Sequence, residues 1–302
     1  MKIGYIILAH QKPNQLSKLL KVLESDDVEI FLHVDKKVNI TPFLAELGSN
    51  GKKINLLKRY KCFWGSFGLV KATLEGINAA IIANCDYIIL LSGSDYPIKS
   101  KRNISIYLKE NSGKSFFTFY KMPAAHWIPN KEINRIKKYY FHFRGKLFEF
   151  PIDKEINSLP RKVLDFFLSL FLPSERALPK NIIPYGGDQW FCITANMAKA
   201  VLKFFDDRPD VYKFLKHCLI PDEIFLQTAI FNSENKVLAK DVTNTSLTFS
   251  NWPNKNTPSP AILEVSDFEM LKNTDKLFAR KFDHELNKEL LKKINTQLLG
   301  IK

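Results

Sequence analysis

The stretch Asp86-Tyr-Ile-Ile-Leu-Leu-Ser-Gly-Ser-Asp95 joins an apolar run, which ends at Leu91, to a short polar turn. Similar apolar runs precede it in the chain, and helical patterns separate them. Because strands that are apolar throughout are buried on both faces of a sheet, this alternation predicts a doubly wound α/β fold. The predicted strands are Ile3–Ala9, Val28–Val34, Ile54–Leu57 and Asp86–Leu91, and the predicted helices begin at Pro13 and span Leu69–Ala83.

Polar side chains follow three of these strands. His10 comes after the first, Asp35 after the second, and Asp95 closes the turn after the fourth. In doubly wound sheets, ligands bind beyond the carboxyl ends of the strands. A single polar turn is ordinary, but three at one edge of the sheet favour a nucleotide site.

The bulk composition narrows the class of protein. The 302 residues suffice for a large core without disulfides, and the formal net charge of +14 favours a partner that carries phosphate. On charge alone, a nucleotide-sugar, nucleic acid and anionic lipid all remain open, and many lysines simply solvate helix faces. The four cysteines are scattered without metal-ligand spacing, which argues against a disulfide framework and against a zinc site.

The middle of the chain differs from its flanks. In residues 121–182, aromatic and basic residues interleave from Arg135 to Arg144, and an apolar helix is predicted for Leu164–Leu172. We therefore expect one domain in three parts: a nucleotide-binding half (1–120), a helical and aromatic insertion (121–182), and an acceptor and catalytic half (183–302). In the last part, the pattern predicts a strand at Gln189–Ile193 and helices at Ala195–Phe205 and Pro221–Asn232.

Seven short segments follow one another over nearly the whole chain. The three most specific are Ser92-Gly-Ser-Asp-Tyr-Pro-Ile-Lys-Ser100, Pro221-Asp-Glu223 and Phe278-Ala-Arg-Lys-Phe-Asp283. The others are Tyr5-Ile-Ile-Leu-Ala-His10, Phe31-Leu-His-Val-Asp35, Trp64-Gly-Ser-Phe-Gly-Leu-Val70 and Gln189-Trp190. Together they resemble the core-2/I-branching glycosyltransferases, a family of branching N-acetylglucosaminyltransferases and xylosyltransferase-like enzymes.

The resemblance implies a GT-A-type fold, an inverting reaction, a UDP-sugar donor that carries N-acetylglucosamine or xylose, and no metal or other cofactor. It places the catalytic base on Glu223. Inversion by direct displacement requires a carboxylate that takes the proton of the acceptor hydroxyl. Taken alone, Asp222 and Glu223 would only add favourable charge to the first turn of a helix.

The resemblance also assigns the donor site. Lys281 would contact the donor diphosphate in place of a metal, since the chain contains no Asp-x-Asp pair to hold one. Arg280 is a possible second cation, although a solvated basic residue is an equal alternative. The further predicted contacts are His10 and Asp35 for the nucleotide, and Asp95, Trp190 and Trp252 for the donor sugar or the acceptor.

One family feature is missing. Family members often carry an Arg that would fall near Ala261, where this chain reads Thr257-Pro-Ser-Pro-Ala-Ile-Leu263. The second cation for the diphosphate must then come from elsewhere, and Lys255 and Arg280 are the two candidates.

Two functions of other classes compete with the transferase. A polyanion-binding or nucleic-acid-binding protein would explain the charge and the stretch from Arg135 to Arg144, and a catalytically inactive glycan-binding relative would explain the missing Arg. The first does not explain Glu223 or Lys281, and the second stays open. We expect a transferase for cell-surface polysaccharide, with no nucleic-acid partner.

The location is predicted from the lack of a membrane span. The longest apolar run, Val163–Leu172, is about half of what crosses a bilayer, and the first residues form a core strand rather than a signal peptide. Animal members of the family are tethered in the secretory pathway, so we expect a bacterial, cytoplasmic enzyme. Its basic, aromatic middle segment is a candidate for peripheral contact with anionic lipid at the inner membrane face, where a lipid-linked glycan would be the acceptor.

Overall fold

The computed structural model describes residues 1–48, 54–124, 131–152, 159–252 and 260–301. Its strands are β1 (Ile3–Ala9), β2 (Val28–Val34), β3 (Ile54–Leu56), β4 (Tyr87–Ser92), β5 (Asp95–Pro97), β6 (Ser115–Phe117), β7 (Tyr120–Lys121), β8 (Tyr139–Phe143), β9 (Lys146–Phe150), β10 (Tyr185–Gly186), β11 (Phe191–Thr194), β12 (Val242–Asn244), β13 (Thr248–Ser250) and β14 (Phe278–Arg280).

The helices of the same part of the chain are α1 (Pro13–Leu23), α2 (Thr41–Leu47), α3 (Gly68–Ile82), α4 (Lys101–Glu110), α5 (Lys131–Lys137), α6 (Leu159–Ser169), α7 (Ala195–Asp207), α8 (Pro209–Leu215), α9 (Phe225–Asn232), α10 (Lys236–Lys240), α11 (Phe268–Asn273) and α12 (Lys288–Lys293). None of them is long and apolar enough to cross a membrane.

Seven strands form the main sheet, in the order β12-β6-β11-β4-β1-β2-β3. The neighbours of β1 and β2 run parallel, whereas β11 is antiparallel to both β4 and β6. The sheet is therefore mixed, as expected, and fits the GT-A-type fold. A second sheet of three short strands, β13-β14-β5, lies at the end of β4.

Helices cover both faces of the main sheet. All seven residues of β1 are buried, with Tyr5 and Ile7 in a core shared with α1 and α11, and Ile6 and Leu8 in a core shared with α3 and α9. This two-sided burial is the reason that β1 has no polar face. The predicted doubly wound α/β class is confirmed.

The sequence pattern placed β1 and β2 at their observed ends and β3, α3 and β4 within one residue, but it did not predict α2. It was wrong for the helix predicted at Pro221–Asn232. There the chain forms a 3₁₀ turn, Pro221–Glu223, and α9 begins only at Phe225. Ile224, which separates the turn from α9, has φ of −129° and ψ of −35°, outside the helical range, so the turn and α9 are two separate elements.

The strand predicted at Gln189–Ile193 also begins later, at Phe191. Gln189 and Trp190 consequently lie in the loop that precedes β11 rather than in the sheet. The apolar helix predicted for Leu164–Leu172 begins earlier, and α6 spans Leu159–Ser169.

Arg176 is one of the residues that attach the middle segment to the rest of the protein. The buried side chain of Arg176 donates hydrogen bonds to the carbonyl oxygens of Ile136, Lys138 and Phe214, and its guanidinium lies 3.9 Å from the Phe214 ring centroid. The segment that follows α6 is thus fixed both to the end of α5 and to the end of α8. The predicted division at residues 121 and 182 stays a prediction, since the main sheet itself runs through β4, β6, β11 and β12.

The Trp64–Val70 segment contains a close approach of two backbones. A Cβ atom at Gly68 would lie 2.2 Å from the carbonyl oxygen of Lys61. The loop from Lys61 to Gly68 can therefore fold back on the start of α3 only because residue 68 has no side chain.

We predict that Gly68→Ala destabilises the fold by about 1–3 kcal/mol, the usual cost of overpacking, because the backbone at Lys61 must move. The free energy of unfolding in urea measures the effect. Asn78→Ala, at an exposed site of the same helix, is the control and should change stability by less than about 0.5 kcal/mol. Equal stability of Gly68→Ala and the wild-type protein would contradict the close approach.

Candidate active site

A cavity of about 460 Å³ lies beside the small sheet β13-β14-β5. Strands β13 and β14 form one wall, and the loop after β10 and the Pro221–Glu223 turn form another. Five of the predicted site residues line it: Trp190, Glu223, Trp252, Arg280 and Lys281. The other lining residues are Thr118, Asp188, Gln189, Thr245, Ser246, Thr248, Phe249, Ser250, Pro260 and Lys276.

Glu223 ends the 3₁₀ turn and presents its carboxylate to the cavity. Its backbone carbonyl accepts a hydrogen bond from the Gly187 amide at 3.0 Å, which joins the turn to the loop that carries Trp190. Partial burial raises the pKa of Glu223, and the nearby Arg135 opposes this shift. A carboxylate with a raised pKa is a stronger base than a solvated one, which suits proton abstraction near neutral pH.

Arg135 holds the Glu223 carboxylate in place. Its Nη2 atom donates to Glu223 Oε2 at 3.0 Å and to the carbonyl oxygen of Ile220 at 3.0 Å, and its Nε atom donates to the Leu219 carbonyl at 3.3 Å. The Arg135 side chain is only 5% exposed, whereas that of Glu223 is 32% exposed. The arginine therefore supports the base from behind and leaves the carboxylate open to the cavity.

The role of Arg135 was missed from the sequence. It lies in α5, 88 residues before Glu223, and there it looked like one member of a basic and aromatic stretch. The local sequence carries no signal for this contact, since the two residues meet only through the tertiary fold.

Asp222 is the middle residue of the turn that carries Glu223. Its side chain is buried, and within the described residues its Oδ1 atom has no hydrogen-bond partner. Burial raises the pKa of Asp222 to about 7, and the neighbouring Glu223 carboxylate adds to the shift. Near neutral pH, Glu223 thus has a neighbour that is neutral for much of the time, which limits the repulsion between the two carboxyl groups.

Arg280 and Asp95 form a buried ion pair below the cavity. The two residues are register partners in the antiparallel pair of β14 and β5, and Arg280 Nε donates to Asp95 Oδ1 at 3.1 Å. The Asp95 side chain has no exposed surface and also accepts from the backbone amide and the hydroxyl of Ser92. Asp95 was predicted to contact the sugar, but here it positions Arg280 instead.

Trp190 holds the guanidinium of Arg280 from a second side. The guanidinium stacks on the indole ring, 4.0 Å from the ring centroid. Arg280 is therefore a fixed cation in the wall of the cavity rather than a solvated surface residue.

Lys281 follows directly and is the less constrained cation of the pair. No described carboxylate lies within ion-pair distance of its ammonium group. Partial burial lowers the pKa of Lys281, and the positive charge of Arg280 lowers it further. An anion placed in the cavity would relieve both effects, so the site favours binding of a phosphate group.

His10 and Asp35 stand at the ends of β1 and β2, next to this cavity but outside its lining. Asp35 is buried, accepts from the backbone amides of Lys37 and Cys62, and pairs with the Lys37 ammonium at 3.4 Å. Burial lowers the pKa of His10, while Asp35 opposes and Lys281 adds to that shift. His10 therefore lies within electrostatic reach of both the Asp35 and the Lys281 positions.

Asp188 is a second carboxylate on the cavity wall that the sequence reasoning did not single out. Its backbone amide donates to Thr118 Oγ1 at 2.6 Å, and its carbonyl accepts from the buried Gln227 side chain at 3.0 Å. These contacts fix the loop at Asp188, whose exposed carboxylate also hydrogen-bonds with Thr118. Its position beside the Gln189-Trp190 motif was the one available signal.

The structure also bears on the missing family Arg. Lys255, the first candidate replacement, lies outside the described residues. Ala261 donates its backbone amide to the Asn251 carbonyl and accepts from the Lys281 amide at 3.4 Å, so it packs directly against the cation segment. Across the described residues, no group of three or more His, Cys, Asp and Glu side chains is arranged to hold a metal ion.

The chain is similar to known proteins over nearly its whole length. Xylosyltransferase 2 of Rattus norvegicus is 23% identical over 322 residues, and that of Mus musculus is 24% identical over 324 residues. Both matches cover 99% of this chain, which spans 34% of the length of each relative. A solved structure, 4-diphosphocytidyl-2C-methyl-D-erythritol synthase from Anaerococcus prevotii, is 12% identical in sequence. The match covers 69% of this chain and 75% of the other chain, with a TM-score of 0.33.

The family assignment rests on a match over most of the sequence. The profile of the family described as "Core-2/I-Branching enzyme" matches residues 3–273, which include the segments around Asp95, Trp190 and Glu223. The chain belongs to the Core-2/I-Branching enzyme family.

Proposed function

We propose that this protein is an inverting, metal-independent glycosyltransferase that moves a sugar from a UDP-sugar to a hydroxyl of an acceptor glycan. The observation that carries the proposal is the composition of one cavity. A supported carboxylate, Glu223, lines one part of it, and two cations, Arg280 and Lys281, line another. Such a pairing is what direct displacement at an anomeric carbon requires.

In the proposed reaction, Glu223 takes the proton from the acceptor hydroxyl while the oxygen of that hydroxyl attacks the anomeric carbon of the donor. The bond between that carbon and the diphosphate oxygen breaks at the same time, so the configuration inverts and UDP leaves with its bonding electrons. Negative charge grows on the diphosphate as it departs. Lys281 and Arg280 would stabilise that charge without a metal ion.

Arg135 has two effects on the proposed base. Its hydrogen bond to Oε2 restrains the Glu223 rotamer and leaves Oε1 for the acceptor hydroxyl. Its charge also favours the ionised form, which offsets part of the effect of burial. The net raised pKa makes Glu223 a stronger base than a solvated carboxylate.

The substrates are proposed by class. The relatives named above are xylosyltransferases, and together with the family they support xylose or N-acetylglucosamine as the donor sugar. Trp252, whose side chain is 53% exposed at the edge of the cavity, offers an aromatic surface for a sugar ring. We further propose a cell-surface glycan, lipid-linked at the inner face of a cytoplasmic membrane, as the acceptor.

A panel of UDP-sugars tests the proposal. Thermal shift and release of UDP should identify one donor that both stabilises the protein and is consumed when an acceptor is present. A polyanion-binding protein would be stabilised by many phosphorylated compounds without consuming any. Stabilisation by UDP without turnover of any donor would leave an inactive glycan-binding relative.

Replacement of the base is the first prediction. Glu223→Gln removes proton abstraction but keeps the shape of the side chain, so kcat should fall by about 10² or more while the UDP Kd stays unchanged. Initial rates with the identified donor and calorimetric titration with UDP measure the two quantities. Glu269→Gln, at an exposed residue far from the cavity, should behave as wild type. Normal turnover in Glu223→Gln would refute the role of this carboxylate.

Binding of the diphosphate without metal is the second prediction. In buffer that contains EDTA, the wild-type protein should bind UDP, and Lys281→Ala should weaken the affinity by about 1.5–3 kcal/mol, the usual loss for a charged hydrogen bond. Lys272→Ala, at an exposed surface lysine, is the control and should bind normally. Dependence of wild-type binding on added manganese or magnesium, or unchanged affinity in Lys281→Ala, would exclude Lys281 as the replacement for a metal.

The buried carboxyl group beside the base predicts a pH dependence of stability. The pKa of Asp222 rises from an ordinary value of 3.8 to about 7 on folding. The folded state therefore binds more protons than the unfolded state between about pH 4 and pH 7, and stability must decrease as the pH rises through this window. Asparagine resembles the neutral carboxyl group and has no proton to lose.

We therefore predict that Asp222→Asn gains stability relative to wild type as the pH is raised from 5 to 8, by a few kcal/mol at most. Urea unfolding at several pH values provides the difference, with Asp275→Asn at an exposed site as the control that follows the wild-type curve. A constant difference between Asp222→Asn and wild type across this range would show that Asp222 titrates normally.

A further inference from the structure

Helix α6 exposes its apolar side to solvent. Between residues 162 and 171, only Asp165 and Leu168 are partly covered, and the other eight residues are exposed. The two most exposed apolar side chains are Phe171 (82%) and Leu159 (75%). The apolar side chains concerned are Leu159, Val163, Leu164, Phe166, Phe167, Leu170 and Phe171, which we call the α6 face.

The α6 face is one continuous stripe. Its members recur at spacings of three and four residues, which places them on one side of a helix, and the helical turn continues through the backbone hydrogen bonds of Leu170 and Phe171. The opposite side carries Lys162, Asp165 and Ser169. An ordinary surface helix turns its apolar stripe to the core, so α6 has the reverse orientation.

The orientation of α6 is fixed by a polar contact. Asp165 Oδ1 accepts a hydrogen bond from the Ile152 amide at 2.9 Å, so the polar side of the helix faces the β8-β9 hairpin. Beyond the helix, Arg176 binds the carbonyl groups at the end of α5, the helix that carries Arg135. The α6 face is therefore attached to the same segment that supports Glu223.

Within the described residues, the acid of α6 and the next acid after it both have partners, since Asp165 accepts from Ile152 and Glu175 pairs with Lys137. Lys162 and Lys180 are exposed and have no carboxylate partner among the described residues. The protein as a whole carries a formal charge of +14. An exposed apolar stripe on a protein with exposed lysines such as Lys162 complements a lipid bilayer, which has an apolar interior and an anionic surface.

We propose that the α6 face binds an anionic lipid bilayer, with α6 lying in the plane of the membrane. Its phenylalanine and leucine side chains enter the boundary between headgroups and acyl chains, and Lys162 stays at the level of the phosphates. The helix is too short to span the bilayer. The inference rests on the proposed function in one respect, namely that the acceptor glycan is held at a membrane.

Co-sedimentation with lipid vesicles tests the proposal on the full chain. The vesicles contain phosphatidylcholine with or without phosphatidylglycerol. Wild type should bind the anionic vesicles at moderate salt and lose most of this binding on the neutral ones. The double variant Phe167→Asp/Phe171→Asp should bind the anionic vesicles at least about tenfold more weakly, since both exposed rings then carry charge.

A matched control separates the α6 face from a general effect of charge. Ile82→Asp/Leu286→Asp makes the same change at two side chains that are each 72% exposed in other parts of the surface, and it should retain vesicle binding within about twofold of wild type. Equal loss in both double variants, or no wild-type binding even at low salt, would overturn the proposal. Dimerisation of wild type that Phe167→Asp/Phe171→Asp abolishes, without vesicle binding, would instead assign the face to a second copy.

Activity on soluble substrates keeps this test apart from the proposed function. Release of UDP from the donor in solution should be the same in wild type and in Phe167→Asp/Phe171→Asp, since neither residue lines the cavity. Vesicle binding without any turnover would contradict the proposed transferase activity and support membrane binding by the α6 face. Turnover without vesicle binding would support the transferase activity and contradict membrane binding by the α6 face.

Discussion

The ion pair between Arg135 and Glu223 is the contact on which the candidate site depends. The guanidinium is almost completely buried and cannot lose its proton, so it needs acceptors on every side. Two carbonyl groups of the chain before the catalytic turn and one carboxylate oxygen provide them. Removal of the Glu223 carboxylate would leave the buried Arg135 charge without its anionic partner. The variable middle segment is therefore a structural part of the site.

Arg280 and Lys281, two of the cations that line the cavity, differ in how firmly they are held. Arg280 is fixed by the Asp95 carboxylate and the Trp190 ring, so its charge stays in one place at no cost when a ligand arrives. Lys281 has no such carboxylate partner among the described residues and has a lowered pKa, so a bound phosphate would gain most from contact with it. This arrangement supports the proposal of a diphosphate site without metal, and it gives Asp95 a positioning role in place of direct sugar contact.

The sheet was predictable because each early strand is apolar throughout and each helix between them has a clear period. The site was predictable where a motif is local, as for Glu223, Lys281 and Trp190. Arg135 was not, because its partner lies 88 residues away and only the fold brings the two together. The break before α9 was missed because Ile224 gives no sign of its non-helical backbone conformation. The apolar period of α6 showed a helix, but periodicity cannot tell whether the stripe faces a core or solvent.

The configuration of the transferred sugar tests direct displacement with Glu223 as the base. Proton NMR of the first product formed from a UDP-α-sugar distinguishes the two anomers through the coupling at the anomeric proton. A single displacement assisted by the base in this cavity predicts a β-linked product, and Glu223→Gln should form little of it. An α-linked product from the wild-type protein would contradict inversion and require a different role for Glu223.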